Sequence, residues 1–127
     1  MTSVLGKAVH GTLDASEVEW WDLPPGVTQA GAAGNELSAV CPVTRQPDLY
    51  DFTFRFWERE PESKSLKMYL VGFRDRPISC AELAATLARE LGEAGRCTVS
   101  VDLVQQVRGG MRLSASAIHV NEEGTPL

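Results

Sequence analysis

The feature that most constrains this chain is a run in which Tyr50, Phe52, Phe54 and Phe56 alternate with Asp51, Thr53, Arg55 and Trp57. Strict period-two alternation sends successive side chains to opposite faces, so the run specifies a half-buried antiparallel strand. Its aromatic face demands a covering layer, and the helices that follow supply one. Leu83, Leu87 and Leu91 recur at four-residue intervals with Ala84 and Ala88 beside them, behind a capping box at Ser79-Cys80-Ala81-Glu82. Gly92 or Gly95 is expected to close this helix. Leu66, Leu70 and Phe73 predict an earlier helix over 64–73, its end bracketed by Gly72 and Pro77.

The remaining elements follow the same logic. Leu37 to Val40 reads as a short strand, and 97–107 as another with Val99, Val101 and Leu103 on one face. A last strand over 111–118 carries Met111, Leu113, Ala115 and Ala117, and Gly109-Gly110 makes the hairpin turn before it. The order strand, strand, helix, helix, strand, strand implies an α+β two-layer domain: a four-stranded antiparallel sheet with two helices on one face. Residues 36–120 are expected to form it. Residues 1–35 read as an N-terminal extension, in which Trp20-Trp21 cover the edge of the core and the Gly/Ala-rich stretch 26–34 is a connector. Residues 58–63 read as a charged turn, and 121–127 as a polar tail.

A chain of 127 residues is one domain by length. Its net charge of −5 argues against direct nucleic-acid binding, which needs a basic face. Three irregularly spaced cysteines, with only His10 and His119 besides, suit neither a disulfide framework nor a zinc site. No apolar run approaches the roughly 20 residues that span a bilayer, and no basic-then-apolar leader opens the sequence. A cytoplasmic protein with reduced thiols and no membrane partner is expected.

Chemistry concentrates at two stretches. In Cys41-Pro42-Val43-Thr44-Arg45-Gln46-Pro47-Asp48 the prolines fix φ and remove donors, so a rigid loop joins two strands. Such a loop brings Cys41 and Asp48 to the same end of the sheet, as a nucleophile and its proton donor require. Taken alone, Cys41 is more simply a small buried hydrophobe and Asp48 a turn residue. The second stretch, Glu62-Ser63-Lys64-Ser65-Leu66-Lys67, gathers a carboxylate, two hydroxyls and two ammonium groups at a helix start. Lysines about one turn apart, with the helix N-terminus, suit phosphates; a capped, solvated helix start is the ordinary meaning. Arg108 beside Gly109 offers a guanidinium for a phosphate with no side chain obstructing its approach.

In Glu36 to Asp48 (ELSAVCPVTRQPD), Glu62 to Phe73 (ESKSLKMYLVGF) and Arg108-Gly109-Gly110, the chain resembles the NADPH-dependent 7-cyano-7-deazaguanine reductases of queuosine biosynthesis. The resemblance runs from Glu36 to about Ile118, in the family's order and near its spacing. It implies a tunnelling fold (T-fold), whose subunits join sheets edge to edge into a barrel. It further implies a homo-oligomer with active sites at subunit interfaces, and NADPH as cofactor. The implied reaction takes a nitrile to an amine, with Cys41 adding to the nitrile carbon as a thioimide and Asp48 protonating the nitrogen. Glu62 and Ser63 would border the substrate; Ser63, Lys64, Arg108 and Gly109 would border NADPH, with Lys67 beside them.

Two positions depart from the family. Its His-Glu pair, whose Glu grips the deazaguanine ring, falls by count from Arg108 on Ser79 and Cys80, neither a carboxylate. Glu82 stands two residues later and already serves the capping box. The substrate-binding set is therefore Glu62, Ser63, Ser79, Cys80 and Glu82, with a weakened grip on a guanine edge expected. Arg45 stands where the family usually has glycine. The alternatives are a relative that forms the same adduct but acts on another nitrile or transfers an amidino group, and a non-catalytic purine-binding subunit.

Overall fold

The computed structural model describes residues 12–122. A 3-10 turn at Ala15–Glu17 leads into strands β1 (Trp20–Asp22), β2 (Ala30–Val40), β3 (Pro47–Phe56) and β4 (Arg59–Pro61). Helices α1 (Ser63–Val71) and α2 (Cys80–Gly95) follow, then β5 (Val99–Gln105) and β6 (Ser114–His119). The main sheet is antiparallel in the order β2-β3-β5-β6, and β1 pairs with β4 in a small second sheet.

The aromatic alternation positions everything else. Tyr50, Phe54 and Phe56 are fully buried on the inner face of β3, while Leu49, Asp51 and Arg55 are exposed on the outer one. Leu66, Tyr69 and Leu70 of α1 and Leu83, Leu87 and Leu91 of α2 cover that inner face in one core with Val99, Val101 and Leu103 of β5. Each such buried ring or leucine contributes about 1.5–3 kcal/mol, so the helical layer and the sheet hold one another. Trp20 meets Phe56 edge-on at 5.8 Å and extends the core at its margin, while Trp21 is exposed.

Several boundaries differ from the sequence reading. The sheet takes in residues 30–34, expected to be a connector: Ala30 pairs with Phe56 and Gly34 with Phe52, with a bulge before Leu37. Glycine and alanine have little strand preference of their own, and the pairing with β3 imposes the conformation. Within the expected charged turn, 59–61 is strand, drawn out by β1. Neither Gly92 nor Gly95 closes α2. Its cap is Arg96 in the left-handed region at φ 53°, and Gly92 serves contact instead, since a Cβ there would lie 2.2 Å from the His119 ring. On β6, Ala115 and Ala117 pack against the core, whereas Met111 and Leu113 precede the strand and are exposed. Asn121 is buried and donates its N–H to Thr98 Oγ1 at 3.0 Å; the rest of the expected tail beyond 122, and residues 1–11, lie outside the described residues. Among the described residues, no helix is long and apolar enough to cross a membrane.

Candidate active site

The β2–β3 hairpin builds the Cys41 end. Val40 pairs with Pro47, and the loop between them closes through Cys41 N–H to Gln46 O and Arg45 N–H to Cys41 O, both 2.9 Å. The tight return puts Arg45 at φ 64°, the left-handed conformation that glycine adopts freely. Thr44 N–H points to Cys41 Sγ at 3.5 Å. The Thr44 hydroxyl first, then the amides of Thr44 and Val43, hold the Cys41 thiol below its ordinary pKa by stabilising the thiolate. Thr44 is thus a functional candidate that the sequence reading missed.

The same end is docked onto the α1–α2 connection. Val40 N–H bonds Arg76 O and Ile78 N–H bonds Val40 O, both at 3.0 Å, a parallel bridge that brings the start of α2 beside the hairpin. Asp48 faces inward from β3, 5% exposed. Arg108 reaches it from the hairpin of Gly109-Gly110, whose φ values of 61° and 79° lie in the left-handed region that glycine adopts at least cost. Arg108 Nη1 lies 3.0 Å from Asp48 Oδ1, and Nη2 donates to the Pro47 carbonyl. A cleft of about 100 Å³ opens beside this pair, lined by Pro47, Leu49, Gln105 and Val107. Arg108, expected at the cofactor, is engaged by the candidate acid.

The substrate candidates near α2 have structural partners. Ser79 caps the helix, accepting from Glu82 N–H at 3.3 Å, but the Glu82 carboxylate accepts from the Ser79 hydroxyl at 3.1 Å and not from its backbone N–H, so the expected capping box is half formed. Cys80 is buried, and burial followed by the charge of Asp48 raises its pKa. Tyr50, two residues beyond Asp48 on the same face, is wholly buried with a hydroxyl that meets no hydrogen-bond partner. Its role was legible only as an aromatic of the strand.

The second cluster sits elsewhere. Glu62 caps α1, its carboxylate accepting from Lys64 N–H at 2.6 Å and Ser65 N–H at 2.8 Å. This corrects the expectation that the helix N-terminus is open to phosphate, because the carboxylate already takes those amides. Ser63 and Lys67 are exposed beside it. β4 and the start of α1 follow the Phe56 end of β3, whereas Cys41 and Asp48 lie at the Pro47 end. Ten residues of strand at about 3.3 Å each put the two ends roughly 30 Å apart. One chain therefore brings together Cys41, Asp48, Cys80 and Arg108, and holds Glu62, Ser63, Lys64 and Lys67 apart from them.

Comparison with known proteins settles the family. Over 92 residues the chain is 36% identical to the NADPH-dependent 7-cyano-7-deazaguanine reductase of Frankia casuarinae, covering 68% of this chain and 72% of that one. The chain belongs to the 7-cyano-7-deazaguanine reductase family. Reductases of that name from Anaeromyxobacter dehalogenans (37% over 94 residues, 66% of this chain and 71% of the relative) and Thermomicrobium roseum (35% over 88 residues, 65% and 67%) align similarly. The crystal structure of an archaeosine synthase QueF-like protein in the apo form matches with a TM-score of 0.67, over 80% of this chain and 99% of that chain. At 19% identity that match shows the fold, the α+β tunnelling-fold domain expected for a member of the reductase family. No family-level sequence model matches the chain.

Proposed function

We propose that this member of the family is an NADPH-dependent nitrile reductase that works through a covalent adduct on Cys41, converting 7-cyano-7-deazaguanine or a related nitrile to its aminomethyl product. The observation that carries this reading is a thiol of lowered pKa at the same sheet end as a buried carboxyl. Cys41 adds as the thiolate to the nitrile carbon, forming the C–S bond of a thioimide as the nitrogen takes a proton from Asp48. Arg108 holds Asp48 by Oδ1 and leaves its other oxygen open to pass the proton released by the Cys41 thiol to the nitrile nitrogen. When bound, NADPH supplies the two hydrides that take the carbon to the amine. Cys41 leaves as thiolate when the C–S bond breaks, ready for the next nitrile.

The donor set fits the phosphates of NADPH. Lys64, Lys67 and the Ser63 hydroxyl gather at the start of α1, and ammonium groups with a hydroxyl bind phosphate where Glu62 has taken the amides. These residues lie at the far end of the sheet from Cys41. We therefore assign the complete site to two copies of the chain, one presenting Cys41 and Asp48 and the other presenting 62–67. The sheet leaves β2 and β6 as edges through which copies can join, and closure would remove those unpaired edges.

Intact-protein mass after incubation with 7-cyano-7-deazaguanine tests the reading. A gain of one nitrile per chain is expected, abolished by Cys41→Ala and kept by Cys97→Ala. An adduct that survives Cys41→Ala would overturn it.

A further inference from the structure

Among the described residues, the Tyr50 hydroxyl and the Trp20 indole N–H are buried side-chain polar atoms with no hydrogen-bond partner. Buried polar groups are nearly always paired, so an orphan at a reactive centre points to a ligand that completes it. Trp20 lies at the margin of the core against Phe56, at the opposite end of β3 from Cys41. Tyr50 lies in the site. It follows Asp48 by two residues on the inward face of β3, and Cys80, Asp48, Cys41 and Arg108 all act electrostatically on its hydroxyl.

The carboxylates are committed. Asp48 is held by Arg108, and Glu82 is paired with Ser79. Glu62 caps α1 at the far end of the sheet. The Tyr50 hydroxyl is closed off from solvent, so a ligand ring entering beside the partly exposed Cys41 must open that cover to reach it as an unpaired polar contact. Burial first, then the acidic groups of Cys80, Asp48 and Cys41, raise the Tyr50 pKa far above that of a free phenol. The hydroxyl keeps its proton and can donate it to an acceptor on the ring.

We propose that Tyr50 is the specificity-determining residue of the Cys41 site, its hydroxyl donating to an acceptor on the bound ring, a carbonyl oxygen or ring nitrogen. The substrate class is then the planar heteroaromatic nitriles that carry such an acceptor. The inference rests on the covalent Cys41 reading above and adds to it what the site recognises.

Tyr50→Phe deletes the hydroxyl and keeps the ring, so it tests this directly. Two probes are compared: 7-cyano-7-deazaguanine, and pyrrole-3-carbonitrile, which lacks the acceptor-bearing ring. For the first, adduct formation in Tyr50→Phe should need about tenfold more nitrile for half-saturation, the worth of one buried hydrogen bond, with an unchanged limiting rate. The second probe should not distinguish the two proteins. Melting at or above the parent temperature is expected, since no internal bond is lost. Equal half-saturation for parent and variant, or equal losses for both probes, would overturn the assignment. So would a lower melting temperature with unchanged half-saturation, which marks a hydroxyl paired internally. Should neither nitrile add to Cys41 in the parent, the reductase reading falls. Calorimetry on Cys41→Ala, with and without Tyr50→Phe, then decides the Tyr50 assignment by itself, and undiminished binding of 7-cyano-7-deazaguanine would end it.

Discussion

Arg108 and Asp48 form an ion pair of 3.0 Å between a half-exposed guanidinium and a buried carboxyl, with the guanidinium also on the Pro47 carbonyl. The pair ties the β5–β6 hairpin to the start of β3, so the residue expected to meet cofactor phosphate also braces the candidate acid. A phosphate that recruits Arg108 must compete with Asp48.

Arg108→Ala is expected to cost about 1–2 kcal/mol in urea unfolding at pH 7, the lower part of the range for a stranded buried group because solvent reaches the guanidinium. In the double variant with Asp48→Asn, the two losses should sum to less than their separate values. Strict additivity would show that the pair contributes nothing to the fold.

Cys41 should be the thiol that reacts. Its pKa is lowered chiefly by the Thr44 hydroxyl, whereas burial pushes Cys97 up to about 12 and also raises Cys80. Alkylation by iodoacetamide near neutral pH should therefore mark Cys41, with a midpoint below the roughly 8.5 of a free thiol. Thr44→Val should move that midpoint upward. A midpoint indifferent to Thr44→Val would remove Thr44 from the site.

The loop that presents Cys41 holds Arg45 at φ 64°, where a side chain costs about 1–2 kcal/mol relative to an ordinary conformation. Arg45→Gly should relieve most of that and raise the melting temperature. A variant that melts lower would show that the guanidinium contributes more to the folded loop than its conformation costs.

How much of this was legible beforehand follows from where each signal resides. The alternation over 50–56 and the leucines of α2 state their own burial, and both appear in the core as expected. β2 from 30 to 34 does not, because its glycines and alanines become strand only when β3 lies beside them. β4 is legible only with β1, which pairs with it from 37 to 41 residues away in sequence. At the site, proximity of Cys41 to Asp48 followed from hairpin logic. The Arg108 contact, the Thr44 effect and the orphan hydroxyl of Tyr50 depend on side-chain directions that spacing does not carry.

Glu62 offers a pH-resolved test of its cap. Burial alone would raise its pKa, but the amides of Lys64 and Ser65, the Ser65 hydroxyl and the Lys64 charge outweigh that and hold it below the usual carboxylate range. Stability from a depressed carboxyl is present above the unfolded value, about 4.3, and is lost as pH falls through the folded one. Glu62→Gln should thus be less stable than the parent by about 1 kcal/mol at pH 7. The two unfolding curves should converge as the pH drops below 4, by roughly the whole difference. A gap independent of pH would mean that the carboxylate charge is irrelevant to the cap.

On the proposed two-copy site, the separation of the Cys41 end from the Lys64 end would make each copy half of a catalyst twice over. Two inactive proteins, Cys41→Ala and Lys64→Ala, would then repair each other once their subunits exchange. In an equal, random mixture, about a quarter of the junctions would combine an intact Cys41 end with an intact Lys64 end. Activity born from two dead parents would make the enzyme a property of the junction, and selection on either end would act through its neighbour.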